Sequence, residues 1–253
     1  MPSTSDKPVL VIQLRPEDET SDHEFGAILR YGGLAPERAR RLRAEQSGLP
    51  EDLSLDDYSA IVVGGSPFDI STPEEQKSAI QREVEAGFDR LLARVVAADF
   101  PFLGCCSGNG LLGSHLAAGI SGRYAEPVSC RSVEITAEGK QDKLLAGFPD
   151  AIDVLLGHKE ACDELPQGAE LLVTSRDCPV QMFRVGDNVY ATQFHPEGDA
   201  EGFAVRINAY RHHGYFEPDE ADRLIEEVSA RPTPHAQEIL RRFVAFYLRG
   251  SNP

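Results

Sequence analysis

SAIVVGGSPFDISTPEEQKSAIQREVEAGFDRLLARVVAADFPFLGC, residues 59–105, opens and closes on short apolar runs and holds a segment of a different period between them. The outer runs, SAIVV at 59–63 and FPFLGC at 100–105, are rich in the residues that fill buried strands. In the middle, Thr72, Pro73 and Glu75 offer an N-cap, a first-turn proline and a capping-box acid. Ile80, Val84, Phe88, Leu91, Leu92 and Val95 then recur at helical spacing. Strand, helix and strand in that order make a βαβ unit, which crosses over right-handed and belongs to a sheet covered on both faces.

Working outward, PVLVIQL at 8–14 reads as another buried strand. Beyond residue 125 the pattern shifts to short extended pieces, and a VGDN turn at 185–188 predicts a hairpin. Past His195 the spacing predicts helices over 201–213, 218–229 and 234–249. His212 and His213 precede Gly214 at the end of the first, and the last runs from Thr233 and Pro234 to a stop at Gly250 with Ile239, Leu240, Phe243 and Val244 on one face. The expected fold is α/β, a mostly parallel central sheet with helices on both faces and a small antiparallel extension. One domain spans 1–253, with 201–253 as its C-terminal helical extension.

A net charge of −16, from 41 acidic against 25 basic side chains, would repel a phosphate backbone, so nucleic acid is not an expected partner. No apolar run approaches the roughly 20 residues of a membrane span, and MPSTSDKPVL lacks the basic start and apolar core of a signal peptide, so the expected location is cytoplasmic. The five cysteines form no CxxC pair and no zinc-type spacing, so neither a metal nor a cofactor is expected. Cys130, Cys162 and Cys178 read as small core residues, and adjacent Cys105 and Cys106 as unpaired thiols.

The strand at 100–105 runs straight into GCCSG, which has the GxCxG form of a sharp nucleophile elbow. Flanking Gly104 and Gly108 select Cys106 over Cys105 as the exposed thiol, and a helix N-terminus there would lower its pKa. Late in the chain, YATQFHPEG at 190–198 supplies His195 and, two residues on, Glu197; in extended chain both project to one side, so the carboxylate can orient the imidazole. Thiol, imidazole and carboxylate are what acyl transfer needs. VVGGSP at 62–67 is a turn of small residues able to aim backbone N–H groups at an oxyanion. His158 reads equally as a site-lining or a surface histidine, and Asp69 as a turn cap.

Together and in this order the three pieces resemble the class I glutamine amidotransferases, in particular the amidotransferase domain of the GMP synthetase type and its stand-alone relatives. The likeness covers roughly residues 8–200. It implies a flavodoxin-like α/β fold, Cys106 as nucleophile, His195 as general base and acid, and Glu197 as its partner. Oxyanion donors would be the backbone N–H of Ser107 and of Ser66 or, aligning on the glycine pair, Gly65. Where the family continues its elbow as CxGHQ, this chain has CSGNG. Gly110 thus stands where the family glutamine contacts substrate, which leaves a space and opens the site to a bulkier γ-glutamyl compound. About 50 residues follow the HPE motif, too few for a synthetase domain, so an ammonia acceptor would be a separate synthetase. The resemblance implies cleavage of the amide of glutamine or another small γ-glutamyl compound; the alternatives are a γ-glutamyl peptidase and a non-catalytic regulatory binding protein.

Overall fold

The computed structural model describes residues 7–212 and 216–248. The expected helix ends at 213 and 249, with His213, Gly214 and the Gly250 stop, lie outside them. In chain order the elements are β1 (Val9–Gln13), α1 (Asp18–Gly32), β2 (Ala39–Arg43), α2 (Ala44–Ser47), β3 (Ala60–Val63), α3 (Ala79–Ala97), β4 (Phe102–Cys105) and α4 (Ser107–His115). There follow β5 (Ile120–Ser121), β6 (Glu126–Ile135), β7 (Ala151–His158), β8 (Ala161–Cys162), β9 (Ala169–Thr174), β10 (Met182–Val185) and β11 (Val189–Thr192). Helices α5 (Ala200–Ala209), α6 (Ala221–Ser229) and α7 (Pro234–Leu248) close the chain.

Among the described residues nine strands form one sheet, in the order β2-β1-β3-β4-β11-β10-β9-β6-β7, while β5 and β8 pair separately. Every pairing from β2 to β11 is parallel. From β11 onward the pairings are antiparallel. The antiparallel part is therefore four of the nine strands. Its cause is local, since no connection among β6, β7, β9, β10 and β11 holds the helix that a parallel crossover requires. The VGDN hairpin is present, with Val185 opposite Val189.

Burial on both faces follows from the period of two. Val9 and Val11 belong to one apolar layer, and Leu10 and Ile12 to the other. The first layer takes Ile239, Leu240, Phe243 and Val244 of α7, so that helix covers the sheet with α1. Across the sheet, α3 contributes Val84, Phe88, Leu91, Leu92 and Val95. This helix begins at Ala79, not at Thr72, because Ser78 Oγ accepts the N–H of Gln81 at 3.2 Å, whereas Pro73 precedes a separate 3-10 turn at Glu74–Gln76. The longest elements without a counterpart in the sequence pattern are α1 and the charged edge strand β2; the short α2, β5 and β8 had none either. At the amino ends of β4 and β11 lies a clamp: Asp99, in left-handed backbone (φ 46°), accepts the N–H groups of Asp187 and Asn188 on Oδ1, each at 3.0 Å. No helix of the described residues is long and apolar enough to cross a membrane.

Candidate active site

Parallel pairing brings the three sequence pieces to one edge of the sheet. Cys105 lies beside Thr192 in the β4–β11 register, so Cys106 and the segment leading to His195 leave adjacent strands in the same direction. The N–H of Cys106 donates to the Thr192 carbonyl at 2.7 Å. On the other side Val63 pairs with Gly104, and Gly64 to Ser66 follow at once. Cys106 occupies a strained conformation (φ 54°, ψ −97°) at the start of α4. Gly104 is required at this elbow, because a Cβ there would stand 2.8 Å from the Gly108 carbonyl carbon. Cys105 is buried in the core and Cys106 is partly open.

Cys106, His195, Arg15, Arg206, Tyr210 and Phe203 line a common cavity. His195 Nδ1 lies 2.6 Å from Glu197 Oε1, and both side chains are buried. The pair does not meet through extended chain, as the spacing suggested. β11 ends at Thr192, and a turn closed by the Gly198 N–H to the His195 carbonyl at 3.0 Å folds the carboxylate back onto the ring. Burial lowers the pKa of His195 against the opposing pull of Glu197. Burial acts to raise that of Glu197, but His195 and Arg206 outweigh it and keep the carboxylate ionised. Burial pushes the Cys106 thiol up to about 12, with Arg15 pulling it down and Glu197 up. Burial thus opposes the low thiol pKa expected at a helix N-terminus and favours the neutral forms of both thiol and imidazole.

Of the expected oxyanion donors, Gly65 is engaged elsewhere, its N–H donating to Glu24 Oε2 at 3.2 Å. The reason is that Arg15 packs over Gly65, His195 Cε1 stands 2.8 Å from where its Cβ would be, and Glu24 fills the space behind. Ser66 and Ser107 stay beside the thiol, in a second cavity that shares Cys106 with the first, and Ser107 Oγ lies 3.4 Å from the Ser66 carbonyl.

A row of alternating charge that the sequence reading missed backs this edge. Glu197 Oε1 accepts from Arg206 Nη2 at 3.1 Å; that nitrogen is 3.6 Å from Glu24 Oε2, which accepts from Arg15 Nε at 2.7 Å. All four side chains are buried, and Arg206 Nη1 has no hydrogen-bond partner. The available signal was helical: Thr20, Ser21, Glu24, Ala27 and Ile28 form the buried stripe of α1, so a carboxylate falls where an apolar residue belongs.

His158 lines the second cavity, with Nε2 3.1 Å from Glu126 Oε2 and Nδ1 3.0 Å from the Glu160 carbonyl. Among the described residues the group Glu126, His158 and Cys178 has metal-ligand chemistry, its donor atoms within 4.8 Å of one another. Glu126 Oε2 also accepts from Gln181 Nε2 at 2.7 Å, and Cys178 Sγ donates to the Val180 carbonyl at 4.0 Å, so these atoms are already engaged. Asp69, expected to cap a turn, faces the same cavity with Oδ2 3.9 Å from Lys159 Nζ. The place beside Gly110 is not a vacancy: a Cβ there would meet Ile70 Cδ1 at 3.0 Å and Glu160 Oε1 at 3.7 Å.

A model of the family Glutamine amidotransferase class-I matches residues 38–208. The chain is 29% identical to Gamma-glutamyl peptidase 3 of Arabidopsis thaliana over 70% of each chain. It is 31% identical to a glutamine-hydrolyzing GMP synthase subunit of Methanosphaera stadtmanae over 70% of this chain and 82% of that one. Against full-length GMP synthases it spans only 26% to 40% of their length. A solved glutamine amidotransferase from Thermotoga maritima shares the fold with a TM-score of 0.75 at 23% identity, over 97% of this chain and 99% of that one. With the family model covering residues 38–208, this chain belongs to the class I glutamine amidotransferases.

Proposed function

We propose that the chain hydrolyses a γ-glutamyl amide through a thioester on Cys106. The observation that carries this reading is one cavity edged by a thiol on a strained elbow and by an imidazole held on a buried carboxylate. Cys106 Sγ attacks the carbonyl carbon as its proton passes to neutral His195, and Glu197 stabilises the imidazolium. The oxyanion is received by the N–H groups of Ser107 and Ser66. Collapse breaks the C–N bond as His195 returns the proton to the departing nitrogen. Water then attacks the thioester, giving a proton to His195, and the C–S bond breaks to restore the thiol.

Arg15 and Arg206 in this cavity, with the apolar walls of Phe203, Ile207 and Phe216, suit a leaving amine that carries a carboxylate. This favours a γ-glutamyl peptide over glutamine. Ammonia supply to a separate synthetase is the second reading, supported by likeness to the Methanosphaera GMP synthase subunit. The test compares ammonia released from glutamine with amino acids released from γ-glutamyl dipeptides. Cys106→Ser should lose either release while Cys105→Ser keeps it; release that survives the Cys106 change would exclude the mechanism.

A further inference from the structure

Glu197 uses its two oxygens unequally. Oε1 faces both His195 Nδ1 at 2.6 Å and Arg206 Nη2 at 3.1 Å, while Oε2 is buried with no hydrogen-bond partner among the described residues. A buried carboxylate with an imidazole as its sole partner would draw a proton onto that ring and hold it there as an ion pair, since an unbalanced charge is costly away from water. Such a ring could not act as a base. Arg206 offsets part of the carboxylate charge at the same atom that the imidazole faces.

Arg206 is itself shared. Its Nη2 stands 3.6 Å from Glu24 Oε2, which also accepts from Arg15 Nε at 2.7 Å and from the Gly65 N–H at 3.2 Å. Glu24 Oε1 accepts from Gln13 Nε2 at 3.1 Å, and a Cβ on Gly64 would overlap that oxygen, so the glycine makes room for the carboxylate. Glu24 is thus fixed from three segments of the chain and divides the guanidinium between itself and Glu197. The remaining titratable groups beside the ring are Cys106 at the start of α4, Arg15 after β1 and Tyr210 at the end of α5. β7, whose His158 pairs with Glu126, meets the residue through the Leu155 carbonyl, which accepts the His195 N–H at 2.9 Å. Burial lowers the His195 pKa, Glu197 raises it, and Arg206 and Arg15 lower it, which agrees with this arrangement.

We propose that Arg206, held by Glu24, is a positioning residue that shares Glu197 Oε1 with His195 and so keeps the imidazole free to take the thiol proton. This rests on the proposed thioester chemistry and deepens it by naming the residues that ready the base.

The experiment reads the imidazole directly, by NMR, as the carbon shift of His195 Cε1 followed through a pH titration, with His195→Asn identifying the signal. Arg206→Gln should raise the titration midpoint by about one pH unit. Glu24→Gln leaves Arg206 undivided on Glu197 and should lower it, by about half a unit. A loosened site would move both midpoints the same way, so the opposite signs separate this role from a merely structural one. A midpoint that fails to rise in Arg206→Gln, or fails to fall in Glu24→Gln, would overturn the assignment; should Arg206→Gln not fold, the nearly isosteric Glu24→Gln decides. In the proposed reaction the acid limb of kcat/KM should move in the same two directions. Loss of the thioester reading shows differently, as product release that persists in Cys106→Ser, and the midpoints, measured without turnover, still test the role of Arg206.

Discussion

At Cys106 two demands oppose each other. As the proposed nucleophile its sulfur must give up its proton, yet burial pushes its pKa up to about 12. The resolution lies in His195, whose own pKa burial lowers, so that an unprotonated imidazole is waiting in the same cavity. In the proposed mechanism activity requires neutral His195 and falls as acid protonates it. With a folded pKa below the ordinary value of about 6.5, the acid limb of kcat/KM should lie below that pH. Glu197 raises the His195 value, so Glu197→Gln should move the limb to still lower pH while reducing kcat. A pH–rate profile for both proteins checks the sign, and a limb that moves upward would refute it.

The elbow itself is the product of one close contact. Gly104→Ala would drive a methyl group to 2.8 Å from the Gly108 carbonyl carbon, a backbone atom in α4 that cannot swing aside. Urea unfolding should show a loss of about 1–3 kcal/mol, and Ser78→Ala, which removes the cap of α3, a loss of about 1 kcal/mol. Elements built on apolar periodicity were legible from the sequence: β1, β3, β4 and α7 fall within a few residues of where the pattern placed them, and α3 carries the expected apolar face but starts at Ala79. Elements whose buried positions carry polar residues were not. α1 hides Thr20, Ser21 and Glu24 beside Ala27 and Ile28, and β2 reads ARRLR, because several of their partners are charges from remote segments. The cap of α3 was misplaced for a related reason, since Thr72 and Ser78 offer the same side-chain oxygen and only packing of the apolar stripe decides between them.

Across the whole molecule, the same division separates what could be read of the site from what could not. Cys106, His195 and Glu197 stood in local patterns, while Arg15, Glu24 and Arg206 come from β1's end, α1 and α5 and meet only in three dimensions. The terminal helices matter to that meeting. Phe243 of α7 is fully buried and packs edge-on to Tyr190 of β11 with ring centroids 6.3 Å apart, so α7 braces the strand that leads to His195. Phe243→Ala should destabilise the protein by about 3–5 kcal/mol, read as a lower urea midpoint. The Asp99 clamp adds a final consequence. By joining the entries of β4 and β11 at the rear of the sheet, it denies those neighbours any sliding past each other. The front loops can therefore lengthen, shorten or change composition during evolution without altering the gap between sulfur and imidazole, and new specificities can be trialled there while the reactive core keeps its spacing.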